Sequence, residues 1–113
     1  MNVYGYTSAS GKDLILEYID SLTADEQADA FSVLIYMRED RMEELTIKRW
    51  QDKIMEVYFY KHNRIFYVTM EGTDIYLLHA CRKQKNKTER KDTNIVISRA
   101  KELGQQLGRR FMR

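Results

Sequence analysis

The apolar positions at the start of the chain indicate a short strand and then a helix. Asn2–Thr7 is rich in β-branched and aromatic residues and precedes the turn sequence Ser-Ala-Ser-Gly, so it predicts a strand. From Lys12 onward the apolar residues recur at helical spacing, which predicts a first helix. These residues are Ile15, Tyr18, Ile19 and Leu22.

A capping box predicts the start of a second helix. Thr23 can accept a hydrogen bond from the Glu26 amide while the Glu26 side chain reaches back to the helix start. The helix should run to about Asp40, with an apolar stripe of Ala24, Ala28, Phe31 and Ile35. We expect the two helices to form a hairpin on one face of a sheet.

The apolar pattern changes from helical to alternating after residues 41–52, which are charged and irregular. Three later runs are rich in Val, Ile, Tyr and Phe and therefore predict strands. They are Ile54–Tyr60, Arg64–Met70 and Ile75–Arg82. The short connections between them suit antiparallel hairpins.

A closing amphipathic helix follows, with Thr88 as its predicted N-cap and an end near Gly104 or Gly108. Its apolar stripe consists of Val96, Ala100, Leu103 and Leu107. The sequence thus predicts one α+β domain over residues 1–113. Its antiparallel-rich sheet would comprise an N-terminal strand and a three-strand meander, with a helix hairpin on one face and a C-terminal helix.

Side chains alternate between the two faces of a strand, so the strands should have a core face and an uncovered face. The residues expected against the helix hairpin are Met55, Val57, Phe59, Ile65, Tyr67, Leu78 and Ala80. The residues expected on the uncovered face are Glu56, Tyr58, Arg64, Phe66, His79, Cys81 and Lys83.

Charge is divided unevenly along the chain, although the formal net charge is only +2. Residues 1–81 hold 8 Lys and Arg against 14 Asp and Glu, whereas residues 82–113 hold 11 against 3. This basic end favours a polyanionic partner such as nucleic acid. The alternative is a solvated basic helix start with no partner.

Composition excludes several classes of protein. The absence of proline excludes proline-rich recognition segments, and the single Cys81 excludes a disulfide framework and a multi-cysteine zinc site. No apolar run approaches the roughly 20 residues of a membrane span, and the N-terminus lacks a signal pattern, so we expect a cytoplasmic protein. His62 and His79 are too far apart for a good metal site, and no metal or cofactor is predicted.

The side chains expected on the uncovered face are suited to a phosphodiester. Arg64 can contact two phosphate oxygens at once, and lysines at 83, 85 and 87 would attract the nucleic-acid backbone. Tyr58 and Phe66 offer rings on which an unpaired base could stack. Together these groups would permit RNA cleavage without a metal.

In such a reaction the 2′-hydroxyl attacks the adjacent phosphorus while a base removes its proton. Glu56 or His79 could be that base, and the sequence leaves both open. Each residue also has a structural interpretation. Arg64 would pair with Glu56, His79 would be a hydrogen-bonded sheet residue, and Cys81 would be a small apolar residue.

Two stretches of the chain resemble a known superfamily of toxins. Glu56–Tyr67 is similar to the paired strands of RelE/ParE-superfamily toxins, whose second strand commonly reads Tyr-Arg-Ile-Phe-Tyr. Leu77–Thr88 is similar to the Leu-Leu-His-Gly-Phe-x-Lys-Lys-x-x-Lys-Thr signature of the HigB-like, often phage-associated branch. Here Cys81 stands in place of Phe, and Glu89 stands where Pro usually follows.

The resemblance implies a RelE-like fold and the toxin half of a type II toxin–antitoxin system. It also implies a ribosome-dependent mRNA endoribonuclease with a helix-turn-helix antitoxin as its partner. Arg64 would contact the scissile phosphate, and Lys83 would occupy a catalytic position near the end of the last strand. The candidate catalytic residues are Arg64, His79, Lys83 and Glu56. The candidate RNA-binding residues are Tyr58, Phe66, Arg82, Lys85 and Lys87.

The same scaffold suits two other functions. A ParE-like toxin would bind DNA gyrase without any enzymatic activity, and an inactive member would serve only as the regulatory partner of a helix-turn-helix antitoxin. Whichever function applies, we expect the basic tail to expose Phe111 and Met112, and an acidic segment of the antitoxin would cover part of this surface. The alternative is a frayed C-terminus.

The basic segment generates a first prediction. Replacing both Lys85 and Lys87 with glutamine should weaken binding to ribosomes, because each phosphate contact releases counterions. The slope of log affinity against log salt should fall by about 0.7 for each lost contact with a single strand. Ribosome sedimentation over a salt series measures this, and an unchanged slope would count against phosphate contacts at these lysines.

Overall fold

A computed structural model describes residues 1–83 and 88–112 of the chain, which form a mixed sheet with helices on both faces. The strands are β1 (Asn2–Gly5), β2 (Thr46–Gln51), β3 (Ile54–Phe59), β4 (Asn63–Met70) and β5 (Asp74–Arg82). The helices are α1 (Leu14–Asp20), α2 (Ala24–Arg38) and α3 (Arg90–Leu107), with a 3₁₀ turn at Met42–Glu44. The predicted α+β class is confirmed.

The strands lie in the order β1-β5-β4-β3-β2, so β1 and β2 form the edges of the sheet. β1 runs parallel to β5, and the other neighbours are antiparallel. No described helix is both long and apolar enough to cross a membrane.

The prediction for residues 41–52 was wrong, because this segment contains β2. Ile47 of β2 pairs with Val57 of β3, and the register shifts between Arg49 and Gln51. The strand lacked a clear alternating pattern because its exposed Lys48 and Arg49 follow each other. An edge strand tolerates such charges, since one of its sides has no neighbouring strand.

A first core lies between the sheet and the hairpin of α1 and α2. Its buried residues include Ile15 and Ile19 of α1, as the helical spacing predicted, and Val57, Ile65 and Tyr67, as the strand alternation predicted. The predicted stripe of α2 was wrong, because Phe31 and Ile35 are 44% and 48% exposed. The buried face of α2 is instead formed by Glu26, Ala30, Val33, Leu34 and Met37. Apolar residues occupy both sides of this helix, so periodicity alone favoured the wrong one.

A second core lies on the opposite face of the sheet, which we had expected to be uncovered. Helix α3 packs there, and the buried residues are Ile54, Phe66, Val68, Leu78, Cys81, Val96, Ala100 and Phe111. Leu78 was predicted for the hairpin face and lies here instead. The register between β4 and β5 shifts at this point, since Phe66 pairs with His79 and Tyr67 with Leu77.

The start of α3 differs from expectation, whereas its predicted end near Gly108 is confirmed. The N-cap is Glu89, without a side-chain cap, whereas the predicted cap Thr88 bonds to Arg64. The helix ends at Gly108, whose φ of +65° favours glycine. The chain then folds back, so Phe111 is buried and not exposed as expected.

Glu26 joins the helix hairpin to one end of the sheet. The predicted capping box with Thr23 is present. The other carboxylate oxygen of Glu26 accepts from Asn63 Nδ2 and from Arg82 Nη2, each at 2.6 Å. The hydrogen bond from Asn63, followed by those from Thr23 and Arg82, lowers the pKa of Glu26 to about 2.

This low pKa predicts how stability depends on pH. Glu26 binds its proton more weakly in the folded chain than in the unfolded chain. The ionised carboxylate therefore stabilises the fold above pH 4.5, and this stabilisation is lost as pH falls toward 2. Glu26→Gln should therefore be less stable than the parent at pH 7, with a difference that shrinks over this range. Urea denaturation at several pH values measures it, with the exposed Glu17→Gln as control. A difference that stays constant down to pH 2 would contradict this role.

Candidate functional site

Six side chains on the α3 face of the sheet form two rows across three strands. Cross-strand pairing places Glu56, Phe66 and His79 in one row. It places Tyr58, Arg64 and Cys81 in the other. Directly opposed residues on one face have Cβ atoms about 5 Å apart, so the rows form a continuous group.

Arg64 lies at the centre of this group and is 1% exposed. Its Nη1 donates to Glu56 Oε2 and to Thr88 Oγ1, both at 2.8 Å. The rings of Tyr58 and Phe66 each lie with their centroid 5.6 Å from the guanidinium carbon. The ion pair and the two rings fix the plane of the guanidinium.

The other edge of the Arg64 guanidinium has no acceptor among the residues that the structure describes. Its Nε and Nη2 are buried and find no hydrogen-bond partner within the described residues. These two nitrogens carry the parallel N–H groups that bind a phosphate through two oxygens. An unpaired buried donor is costly, so this edge is suited to an external oxyanion.

Glu56 is buried and is held by two neighbours. It accepts from Arg64 at 2.8 Å and from the Tyr58 hydroxyl at 2.7 Å. Burial, together with the contact to Glu56, raises the pKa of Tyr58 to about 12, so the phenol keeps its proton at neutral pH. Lys83 follows β5 and places its Nζ 5.5 Å from the centroid of the Tyr58 ring. Lys83 is half-buried and lies beside Tyr58.

His79 lies between two charged side chains of α3. Its Nε2 is 2.8 Å from Asp92 Oδ1, and its Nδ1 is 3.4 Å from Arg99 Nη1. Because arginine only donates, the consistent tautomer has Nε2–H donating to Asp92 and Nδ1 facing Arg99. Burial lowers the pKa of His79 despite the opposing effect of Asp92, so the ring is neutral near pH 7.

Cys81 and the His79–Asp92 pair form a cluster that could hold a metal ion. One ligand atom from each of these three residues lies within 4.8 Å of the others. Burial, with the carboxylate of Asp92 as a second cause, raises the pKa of the Cys81 thiol to about 12. A free Cys81 is therefore an unreactive thiol at neutral pH.

Several predicted site residues lie apart from the uncovered surface that we expected. Phe66 is fully buried between Trp50 and His79, so it offers no free face to a base. Arg82 pairs with Glu26 on the side of the helix hairpin. Lys85 and Lys87 lie outside the described residues.

The sequence interpretation missed three residues of the site. Thr88 contacts Arg64, Asp92 contacts His79, and Arg99 donates to the Leu78 carbonyl at 2.9 Å beside His79. The sequence indicated Thr88 only as a helix N-cap and as the last residue of the Leu77–Thr88 signature, and it indicated no site role for Asp92 or Arg99. Their role depends on α3 packing over the sheet, which local sequence does not reveal.

The surroundings of His79 generate a prediction about its protonation. Asp92 raises the pKa of His79 against the larger effect of burial. Asp92→Asn should therefore move the midpoint of His79 further below its ordinary value, as measured by NMR titration of the imidazole. Asp25→Asn, on the other face of the sheet, is the matched control. An upward shift in the Asp92 variant would contradict the assigned pair.

A comparison with models of known protein families identifies a match. The family model described as phage derived protein Gp49-like (DUF891) matches residues 17–101, about three quarters of the chain. No curated protein matches the sequence. The matched range begins within α1 and ends within α3, so it contains most of both cores and the site around Arg64. The chain therefore belongs to the Gp49-like family, a RelE/toxin-like family of toxin–antitoxin systems.

Proposed function

We propose that this protein is the toxin of a type II toxin–antitoxin system and that it cleaves mRNA on the ribosome. The main support is the Arg64 guanidinium, whose Nη1 is anchored while its Nε and Nη2 have no acceptor among the described residues. A phosphodiester supplies two oxygens for that edge. The resemblance to the HigB-like branch and the basic segment at residues 82–91 support the same substrate.

The proposed reaction needs no metal. The RNA 2′-hydroxyl loses its proton to the base as its oxygen bonds to the adjacent phosphorus, and the bond from phosphorus to the 5′-oxygen breaks. The products are a 2′,3′-cyclic phosphate and a 5′-hydroxyl, which takes its proton from solvent. Arg64 and Lys83 stabilise the negative charge on the phosphoryl oxygens. Glu56 is the better candidate for the base, because it is in direct contact with Arg64, whereas His79 faces Asp92 and Arg99 of α3. To accept the proton, Glu56 must give up one of its hydrogen bonds to Arg64 and Tyr58. His79 is then a positioning residue that orients β5 and α3.

The substrate must displace covering side chains to reach Arg64. The guanidinium is 1% exposed, with Tyr58 and Thr88 among its partly buried neighbours. Lys83, beside Tyr58, would make the first contact with the phosphate backbone. This closed arrangement also favours a second candidate, a ParE-like toxin that binds DNA gyrase without catalysis. An inactive regulatory partner of a helix-turn-helix antitoxin is the third.

A cleavage assay with purified ribosomes separates these functions. The parent protein should cut mRNA and leave 2′,3′-cyclic phosphate ends, which primer extension and end analysis detect. Gyrase inhibition without cut mRNA would identify the ParE-like function. Neither effect, with a stable antitoxin complex, would identify the regulatory partner.

Variants of Arg64 and Lys83 test the proposed residues. Arg64→Lys should lower cleavage about a hundredfold, because it keeps the charge beside Glu56 but loses the two-pronged phosphate contact. Lys83→Ala should lower cleavage about tenfold or more. Arg64→Ala is less informative, since it leaves the buried Glu56 unpaired.

The exposed Lys12→Ala, which removes a cation paired with Glu17 on α1, is the matched control and should leave cleavage unchanged. Circular dichroism and melting curves show whether each variant is folded. Full cleavage by folded Arg64→Lys and Lys83→Ala would refute the assignment of these residues.

A further inference from the structure

Three potential metal ligands converge where α3 begins against β5. His79 and Cys81 are two residues apart on β5, and both lie on the face covered by α3. Asp92 lies in the first turn of α3 and directs its carboxylate to the same point. The nitrogen, sulfur and oxygen ligand atoms lie within 4.8 Å of one another.

The surroundings of the cluster resemble those of a built site. Cys81 and Asp92 are only 8% and 7% exposed, and His79 is mostly buried. Arg99 lies against one ring nitrogen of His79, which leaves Nε2 directed toward Asp92. Metal binding through Nε2 would move the ring proton to Nδ1, so Arg99 would turn away from the ring and keep its hydrogen bond to the Leu78 carbonyl.

The chemistry of the three ligands selects a class of ion. A thiolate, an imidazole and a carboxylate together match zinc and ions of similar softness, and not Mg²⁺ or Ca²⁺, which take oxygen ligands. Around a tetrahedral zinc ion these ligand atoms would be about 3.4 to 3.6 Å apart, judging from usual bond lengths. The present separations are at most 4.8 Å, and Nε2 and Oδ1 of His79 and Asp92 are 2.8 Å apart, so metal binding would widen this pair and draw the Cys81 sulfur closer to both.

We propose that His79, Cys81 and Asp92 bind one zinc-class divalent ion. The charges of a thiolate and a carboxylate balance the ion, so the buried site would be neutral overall. Binding would replace the hydrogen bond between His79 and Asp92 by two bonds to the metal. The ion would then link the first turn of α3 to β5, beside Arg64 but without taking part in RNA cleavage. This proposal does not depend on the proposed function.

Cobalt provides a direct test, because thiolate ligation to Co²⁺ gives a charge-transfer band in the near ultraviolet. Cys81 is the single cysteine of the chain, so any such band must come from this site. Metal-free protein titrated with Co²⁺ should show the band at one ion per chain, and Zn²⁺ should abolish it. No band in an excess of Co²⁺ would overturn the proposal.

Variants test the other two ligands. His79→Ala and Asp92→Asn should each weaken Co²⁺ binding at least about tenfold. This lower limit is the loss that removal of an outer-shell partner of a metal ligand already causes. His62→Ala, in the exposed turn between β3 and β4, is the control and should bind like the parent. Binding by both ligand variants that equals the parent would also overturn the proposal.

Thermal stability gives a readout that does not involve cobalt. Zn²⁺ should raise the melting temperature of the parent, since it binds only the folded arrangement. It should not raise that of Cys81→Ser, an isosteric change that leaves the fold intact without a thiolate. Equal stabilisation of parent and Cys81→Ser would show that zinc binds elsewhere and would refute the site.

Discussion

The buried ion pair of Arg64 and Glu56 is the interaction on which the second face of the sheet depends. Placing two charges beneath a helix removes their hydration, and only close, well-directed contacts offset that loss. Glu56, Thr88 and two aromatic rings provide such contacts on one side of the guanidinium. The other side lacks an acceptor among the described residues. The guanidinium is therefore held in place although two of its buried nitrogens, Nε and Nη2, have no hydrogen bond there.

The parts of the fold that follow from neighbours in sequence were predicted well. The capping box at Thr23 and Glu26 was confirmed because it is closed within one helical turn. The strands β3, β4 and β5 were confirmed because each has a long alternating run rich in β-formers.

The parts that depend on distant contacts were not predicted. Helix α2 has apolar residues on both of its sides, and its packing on the sheet determines which side is buried. Phe31 and Ile35 lie on the side that stays exposed. The position of Leu78 depends on one register shift, which reverses the face of a strand residue. Helix α3 was found in the sequence, but nothing local indicated that it covers the face of Arg64, and for that reason Thr88, Asp92 and Arg99 were missed.

The two edges of the sheet also bear on how copies of this chain meet. β1 is four residues long, and β2 carries adjacent exposed Lys48 and Arg49. If two copies paired through β2, these cations would lie close together and repel. The register shift between Arg49 and Gln51 would also interrupt a continuous ladder of backbone hydrogen bonds. An edge strand with adjacent charges and an irregular register disfavours edge-to-edge pairing between sheets of different copies. A concentrated preparation should therefore resist fibre formation through β2.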